Sequence, residues 1–184
     1  MLGLNRPKTI LRYRYNTGIF YGIVVGKDIY QLSSSFLDIV NNDIKYDGTK
    51  IAYSDVIVLE PVKPSKIVNF GWTYSEHAME TGGEPHRKEP FLFLKPTSSL
   101  IPDRSTIVLP PRTLTDQVEM EGELALIIGK RAKNVKEENA LDYVFGYTVF
   151  NDVTARDLTK TDPQFTRGKG FDTFGPIGPW IVTA

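Results

Sequence analysis

A chain of 184 residues is long enough for one sizeable domain, or for a compact domain with a small appended module, and an apolar fraction of 41% excludes a disordered polymer. Its 22 basic and 22 acidic residues cancel, so no long-range field draws it to nucleic acid or to an anionic membrane, and any electrostatic function must be local. The lack of cysteine removes disulfides, thiolate zinc sites and cysteine nucleophiles, leaving oxygen and histidine chemistry. Residues 1–10 carry charge and Pro7 but no apolar signal core, and no later stretch offers the roughly 20 apolar residues of a membrane span. The expectation is a soluble, cytoplasmic protein with neither nucleic acid nor membrane as partner.

Residues 11–15, 19–25 and 29–32 alternate like short strands and are separated by the turn sequences Asn16-Thr17-Gly18 and Gly26-Lys27-Asp28. They predict an antiparallel meander. Ser33-Ser34-Ser35 is a start signal for a short helix over 36–40, followed by a polar loop containing Asn41, Asn42, Asp47 and Gly48. Pro61 and Pro64 then punctuate the chain, which predicts a small N-terminal domain over 1–64 and a second domain over 65–184. Within the second, 67–70 reads as a strand and 74–81 as a short helix ended by Gly82-Gly83, with a mobile loop over 82–89. The apolar runs 91–94, 106–109 and 122–129 read as buried strands, 137–144 as a helix and 146–150 as a return to β. The class expected is α+β and β-rich, without internal repeats.

Four constellations carry chemistry. Glu121 and Glu123 flank Gly122 at the head of an apolar strand, so both carboxylates project from one face, about 7 Å apart along the strand. A divalent cation between them would turn their repulsion into binding; the alternative is a strand end where both face water. Asp152 follows the apolar segment 147–150, where a carboxylate must be paired, hydrogen-bonded or metal-bound, or else caps a turn. Three carboxylates without cysteine favour a hard ion, Mg²⁺ or Mn²⁺ ahead of Zn²⁺, with Ca²⁺ open. His77 and Glu80 lie three apart on one helical face, an arrangement that suits an oriented imidazole base and equally a solvated surface pair. Lys169, flanked by Gly168 and Gly170, sits where backbone can approach a ligand and its ammonium can meet an enolate or carboxylate oxygen; it also reads as an ordinary loop lysine. Arg156 suits a bidentate clamp on a substrate carboxylate, or a simple pair with Asp152 or Asp157.

Taken in order, the segments 71–80 (Gly-Trp-Thr-Tyr-Ser-Glu-His-Ala-Met-Glu), 93–96 (Phe-Leu-Lys-Pro), 121–124 (Glu-Gly-Glu-Leu), 151–157 (Asn-Asp-Val-Thr-Ala-Arg-Asp) and 168–174 (Gly-Lys-Gly-Phe-Asp-Thr-Phe) resemble the fumarylacetoacetate hydrolase family. The resemblance spans 66–184. It implies a mixed β-sandwich or β-roll, often dimeric, with a small N-terminal β domain, and hence a homo-oligomer. It implies that Glu121, Glu123 and Asp152 ligate Mg²⁺, that His77 and Glu80 form a water-activating dyad, and that Lys169 stabilises charge while Arg156, Lys95 and Tyr74 serve the substrate. The activity implied is metal-dependent cleavage of a C–C bond in an acylpyruvate-like 2-oxo acid through an enolate. Decarboxylation, isomerisation and dehydration of a 2-keto-3-deoxy sugar acid are the alternatives on the same site, and a non-catalytic fragment or partner subunit is the alternative of another class. Thr73, Thr159 and Phe165 stand where the family more often has Asn, Gln and Trp, implying a specialised substrate. The resemblance further implies strands beyond Ala184 that complete the barrel.

Overall fold

The computed structural model describes residues 7–80 and 89–184, and all side chains within them except that of His77. The expected meander forms from β1 (Thr9–Tyr15), β2 (Gly18–Val25) and β3 (Asp28–Leu32), each antiparallel to the next. Its tight turns place Asn16 at φ 51° and Gly26 at φ 63°, the left-handed backbone that two-residue hairpins demand. Ser35 then caps α1 (Phe36–Val40), its hydroxyl accepting from Asp38 N while its own N–H donates to the Asp38 carboxylate, a reciprocal capping box. The polar loop expected through Asp47 and Gly48 is instead the strand β4 (Tyr46–Ala52), which pairs with β3. Polarity misled here because Asp47 is used across the sheet, accepting from Gln31 Nε2 at 2.6 Å, and Gly48 adopts φ 91°. A short β5 (Ile57–Val58) also pairs with β1.

Beyond the prolines, β6 (Ile67–Gly71) and β7 (Phe91–Lys95) form a two-stranded antiparallel ribbon with α2 (Ser75–Glu80) between them in sequence. The loop expected over 82–89 lies outside the described residues except at its last position. β8 (Leu100–Ile101) runs parallel to the final strand. Residues 106–109, expected as a strand, are irregular: the Val108 N–H donates to Thr173 Oγ1 at 2.8 Å rather than to a neighbouring strand, and Pro110 and Pro111 follow immediately. β9 (Val118–Glu119) leads into β10 (Gly122–Ile128), the helix expected over 137–144 is the 3₁₀ segment Glu137–Tyr143, and β11 (Val144–Asn151), β12 (Thr154–Ala155), α3 (Arg156–Thr161), α4 (Thr166–Lys169) and β13 (Gly175–Thr183) follow.

The main sheet runs β10-β11-β13-β1-β2-β3-β4. The link is the antiparallel pairing of β1 with β13, Thr9 opposite Val182 and Ile10 opposite Ile181, which makes the N-terminal meander continuous with the strands that follow the prolines. The fold is α+β and strand-rich. β1 is buried on both faces: Ile10 joins Ile23, Phe150, Ile177 and Ile181, while Leu11 and Tyr13 join Ile29 and Ile51. A third cluster, Val153, Ala155, Leu158 and Phe174, packs beneath the segment after β11. The apolar runs at 91–94 and 122–129 form strands but are not enclosed, with Leu92 53%, Leu94 56%, Leu124 58% and Ile128 58% exposed. Successive side chains of a strand point to opposite faces, and in β7 and β10 one of those faces is left uncovered. Among the described residues no helix is long and apolar enough to cross a membrane.

Because Ile181 is fully buried where β13 meets β1, Ile181→Ala should cost about 2–5 kcal/mol of stability. Equilibrium chemical denaturation measures this.

Candidate functional site

The two strands that carry the acidic residues are stitched together at their ends. Asp152 N donates to Glu121 O at 2.9 Å and Glu121 N donates to Asn151 Oδ1 at 3.1 Å, so the carboxylates just before β10 and just after β11 are held as neighbours. The Asp152 side chain is 2% exposed. Its Oδ2 accepts from Lys169 Nζ at 2.7 Å and from Asn69 Nδ2 at 3.0 Å. Its Oδ1 is enclosed and paired with the ammonium of Lys95, Nζ at 2.8 Å.

Lys95 is wholly enclosed and spends its remaining donors on Val153 O, at 3.2 Å, and Lys169 O. Burial pushes its pKa down, against the opposing pull of Asp152. The structure therefore brings Lys95 to the site but sets it behind Asp152, away from the cleft wall, where it positions the carboxylate. Lys169 Nζ lies between two acids, 2.6 Å from Glu121 Oε2 as well as 2.7 Å from Asp152 Oδ2. Glu121 Oε1 accepts from Arg156 Nη2. Arg156 also donates through Nε to Glu119 Oε2 at 2.8 Å. Its partners are thus Glu119 and Glu121, neither of the two aspartates considered from sequence; Asp157 instead accepts from Thr115 Oγ1 at 2.5 Å.

Glu123 lines the same cleft from β10. Burial, reinforced by the charges of Asp152 and Glu121 and opposed by Lys169, pushes its carboxyl up to about 7. Lys169 is delivered by α4, which packs on α3 with no room to spare: a Cβ on Gly168 would lie 2.5 Å from Thr159 Cγ2 and 2.9 Å from Ala155 O. These groups floor a cleft of about 510 Å³ whose walls include Trp72, Tyr74, Glu80, Phe93, Lys160 and Phe165. The Tyr74 hydroxyl accepts from Leu124 N at 3.4 Å. Glu80 reaches the cleft from α2; His77 belongs to that helix, but its side chain lies outside the described residues.

So Glu121, Glu123, Asp152, Arg156, Lys169, Tyr74 and Glu80 converge on one cleft. Among the described residues no three carboxylates are drawn close enough together to hold a metal as they stand, since Glu121 is turned toward Arg156 and Lys169. Sequence reasoning missed Glu119, Gln117 and Asn69. The first was visible as a third acid in the alternation Glu119-Met120-Glu121-Gly122-Glu123, and Asn69 as the polar member of an apolar strand.

Residues 66–184 match the family described as fumarylacetoacetate (FAA) hydrolase C-terminal. The chain belongs to this family. It is 48% identical over 137 residues to an uncharacterised protein of Archaeoglobus fulgidus, covering 74% of this chain and 54% of that one. With a mitochondrial oxaloacetate tautomerase of Xenopus laevis it shares 38% over 160 residues, 85% of this chain and 49% of the other. Among solved structures it is similar to a 2-hydroxyhepta-2,4-diene-1,7-dioate isomerase of Mycobacterium marinum, with TM-score 0.82, 32% identity, and coverage of 96% of this chain and 66% of that one. It is also similar to a maleylpyruvate hydrolase of a Sphingobium species in complex with manganese(II) and pyruvate, with TM-score 0.71, 26% identity, and coverage of 96% and 67%. The chain spans about half the length of these curated relatives.

Two consequences of this geometry are measurable. Gly168→Ala must push α4 off α3, so it should lower stability by about 1–3 kcal/mol, seen as a fall in thermal midpoint. Since the raised Glu123 carboxyl holds a proton in the folded state that the unfolded chain releases near its ordinary value of ~4.3, metal-free protein should lose stability as pH rises from there through about 7. Glu123→Gln should flatten that limb in chelator-treated samples. A wild-type minus variant difference constant across the window would contradict the assignment.

Proposed function

We propose that this chain carries the catalytic cleft of a divalent-metal-dependent enzyme that hydrolyses a C–C bond in an acylpyruvate-like 2-oxo acid. The observation that carries the reading is the convergence of Glu121, Glu123 and the buried Asp152 on the floor of one cleft, with the ammonium of Lys169 seated between Glu121 and Asp152. The donor set fits a hard cation: it is all oxygen, one of its members is held ready by Lys95, and an ammonium, Lys169 Nζ, already sits between two of its acids. Glu121, Glu123 and Asp152 would hold the ion, Mg²⁺ in this proposal, and manganese in a relative supports a divalent metal. When bound, it would supply Lewis acidity toward the carboxylate and 2-oxo oxygens of the substrate.

The chain's own residues supply the rest. Lys169 and Arg156 would meet the negative charge of the substrate, as both stand on Glu121 and face the cleft. Glu80, on the cleft wall, would orient His77 of the same helix, which takes a proton from water as the water oxygen adds to the distal carbonyl carbon. The bond between that carbon and C3 then breaks, its electron pair passes to the pyruvate fragment as an enolate, and protonation at C3 releases pyruvate. Tyr74 would border the distal group.

A second reading is favoured by the names of two relatives, a tautomerase and an isomerase. Moving a proton between C3 and the 2-oxo oxygen uses the same carboxylates, Lys169 and base, and omits the attacking water. Assaying acylpyruvates, oxaloacetate and 2-keto-3-deoxy acids with Mg²⁺ separates the two by product: pyruvate plus a carboxylic acid for hydrolysis, an unchanged mass for tautomerisation.

Glu123→Gln tests the metal assignment without stranding a buried lysine. We expect turnover to fall by at least about 100-fold, because even groups that only support metal ligands are worth about 10–100-fold, and Mn²⁺ affinity measured by electron paramagnetic resonance to fall with it. Full activity in a folded variant would reject the site.

A further inference from the structure

The cleft is two-sided. Its floor is charged, but the side built from the end of β6, from β7 and from the residue before α4 is aromatic: Trp72, Phe91, Phe93 and Phe165 pack ring against ring. Centroids lie 4.9 Å apart for Trp72 and Phe91, 4.9 Å for Phe91 and Phe165, 5.5 Å for Phe93 and Phe165, and 6.0 Å for Trp72 and Phe165. All are tilted or edge-on, the arrangements that ring quadrupoles favour. This is not simply core. Phe93 is 6% exposed, whereas Trp72 and Phe165 are half-buried and line the cleft.

Two features tie this surface to the chemistry. Lys169 Nζ, the ammonium between Glu121 and Asp152, also lies 4.9 Å above the Phe93 ring, so the apolar surface begins where the charged floor ends. Trp72 is held at φ 57°, a conformation that bulky residues rarely adopt and that persists where the surroundings over-determine it. Its ring packs against Phe91 and Phe165.

Among the described residues, two of the three cations that line the cleft are held by acids. Arg156 is taken by Glu119 and Glu121, and Lys169 by Glu121 and Asp152. Lys160 is exposed and stands 3.5 Å from Gln117 Oε1. A second carboxylate pressed on these rings would exchange its hydration for apolar ring surface, whereas a planar apolar group would bury its own surface there.

We infer that the substrate's group beyond C3 is apolar and planar, an aroyl-type substituent seated against Trp72 and Phe165, and that Phe165 is a specificity-determining residue. The inference rests on the reading of the cleft as a 2-oxo acid site. A matched pair of uncleavable probes tests it: 2-oxo-4-phenylbutanoate and 2-oxoglutarate, which carry phenyl or carboxylate on the same carbon, titrated calorimetrically into the Mn²⁺-loaded full chain. The phenyl acid should bind roughly tenfold more tightly or better. Phe165→Leu, which keeps the apolar packing, should erase most of that advantage and leave 2-oxoglutarate within about twofold, and Phe165→Trp should restore it. Equal or tighter binding of 2-oxoglutarate, or equal weakening of both acids by Phe165→Leu, overturns the inference while the 2-oxo acid reading stands. Binding of neither acid overturns both.

Discussion

The site depends on one buried carboxylate. Asp152 sits at the end of β11, 2% exposed, and an ionised carboxylate so enclosed is tolerable only with compensation, because the desolvation penalty is several kcal/mol per ion. Lys95, Lys169 and Asn69 supply that compensation from three other segments of the chain. The same contacts tie β6, β7 and α4 to the end of β11. Removing one partner would leave the others as uncompensated charge, so the arrangement holds as a unit or fails as a unit. Lys95 is therefore best understood through Asp152: with its donors spent on Asp152, Val153 O and Lys169 O, it fixes both the acid and the backbone of the lysine that faces the cleft.

That unit has a foundation in the sheet. β11 lies between β10 and β13, and β13 in turn pairs with β1, whose two buried faces join the meander to the rest. Register transmits this order to the chemistry. Glu123 opposite Phe150, and Gly122 opposite Asn151, place the acids of one strand beside the aspartate that ends the next. A slip of one residue would turn Glu121 and Glu123 to the other face, where Leu124 and Ile128 now lie exposed.

How much of this was legible beforehand follows from the range of each interaction. The hairpins were readable because turn and strand signals are local, and the start of α1 because the serines that signal it immediately precede the helix. Glu121, Glu123 and Asp152 could be nominated from their places on strands, but their convergence is tertiary, as is the seat of Lys169, 48 residues from Glu121. Proximity in sequence offers Arg156 only Asp152 and Asp157 as protein partners, whereas the fold brings it Glu119 and Glu121. Residues 106–109 had strand composition and no neighbour to pair with, while Tyr46–Ala52 had loop composition and a waiting partner in β3. Strands are made by neighbours as much as by residues.

The charge balance of the cleft links these observations to the chemistry proposed for it. Glu119, Glu121, Glu123 and Asp152 face Lys95, Arg156 and Lys169, so the contacting set is close to neutral when Glu123 is protonated and carries one excess negative charge when it is not. The elevated Glu123 carboxyl follows first from its burial and then from the charges of Asp152 and Glu121, which Lys169 only partly offsets. A divalent cation would reverse the excess, loosen the hold of Glu121 on Arg156 and Lys169, and leave those two groups facing the cleft as donors for an anion. The ion pairs that stabilise the cleft alone are thus the groups that would receive a 2-oxo acid once the metal is in place, and the aromatic wall beginning at Phe93 would decide what that acid carries at its far end.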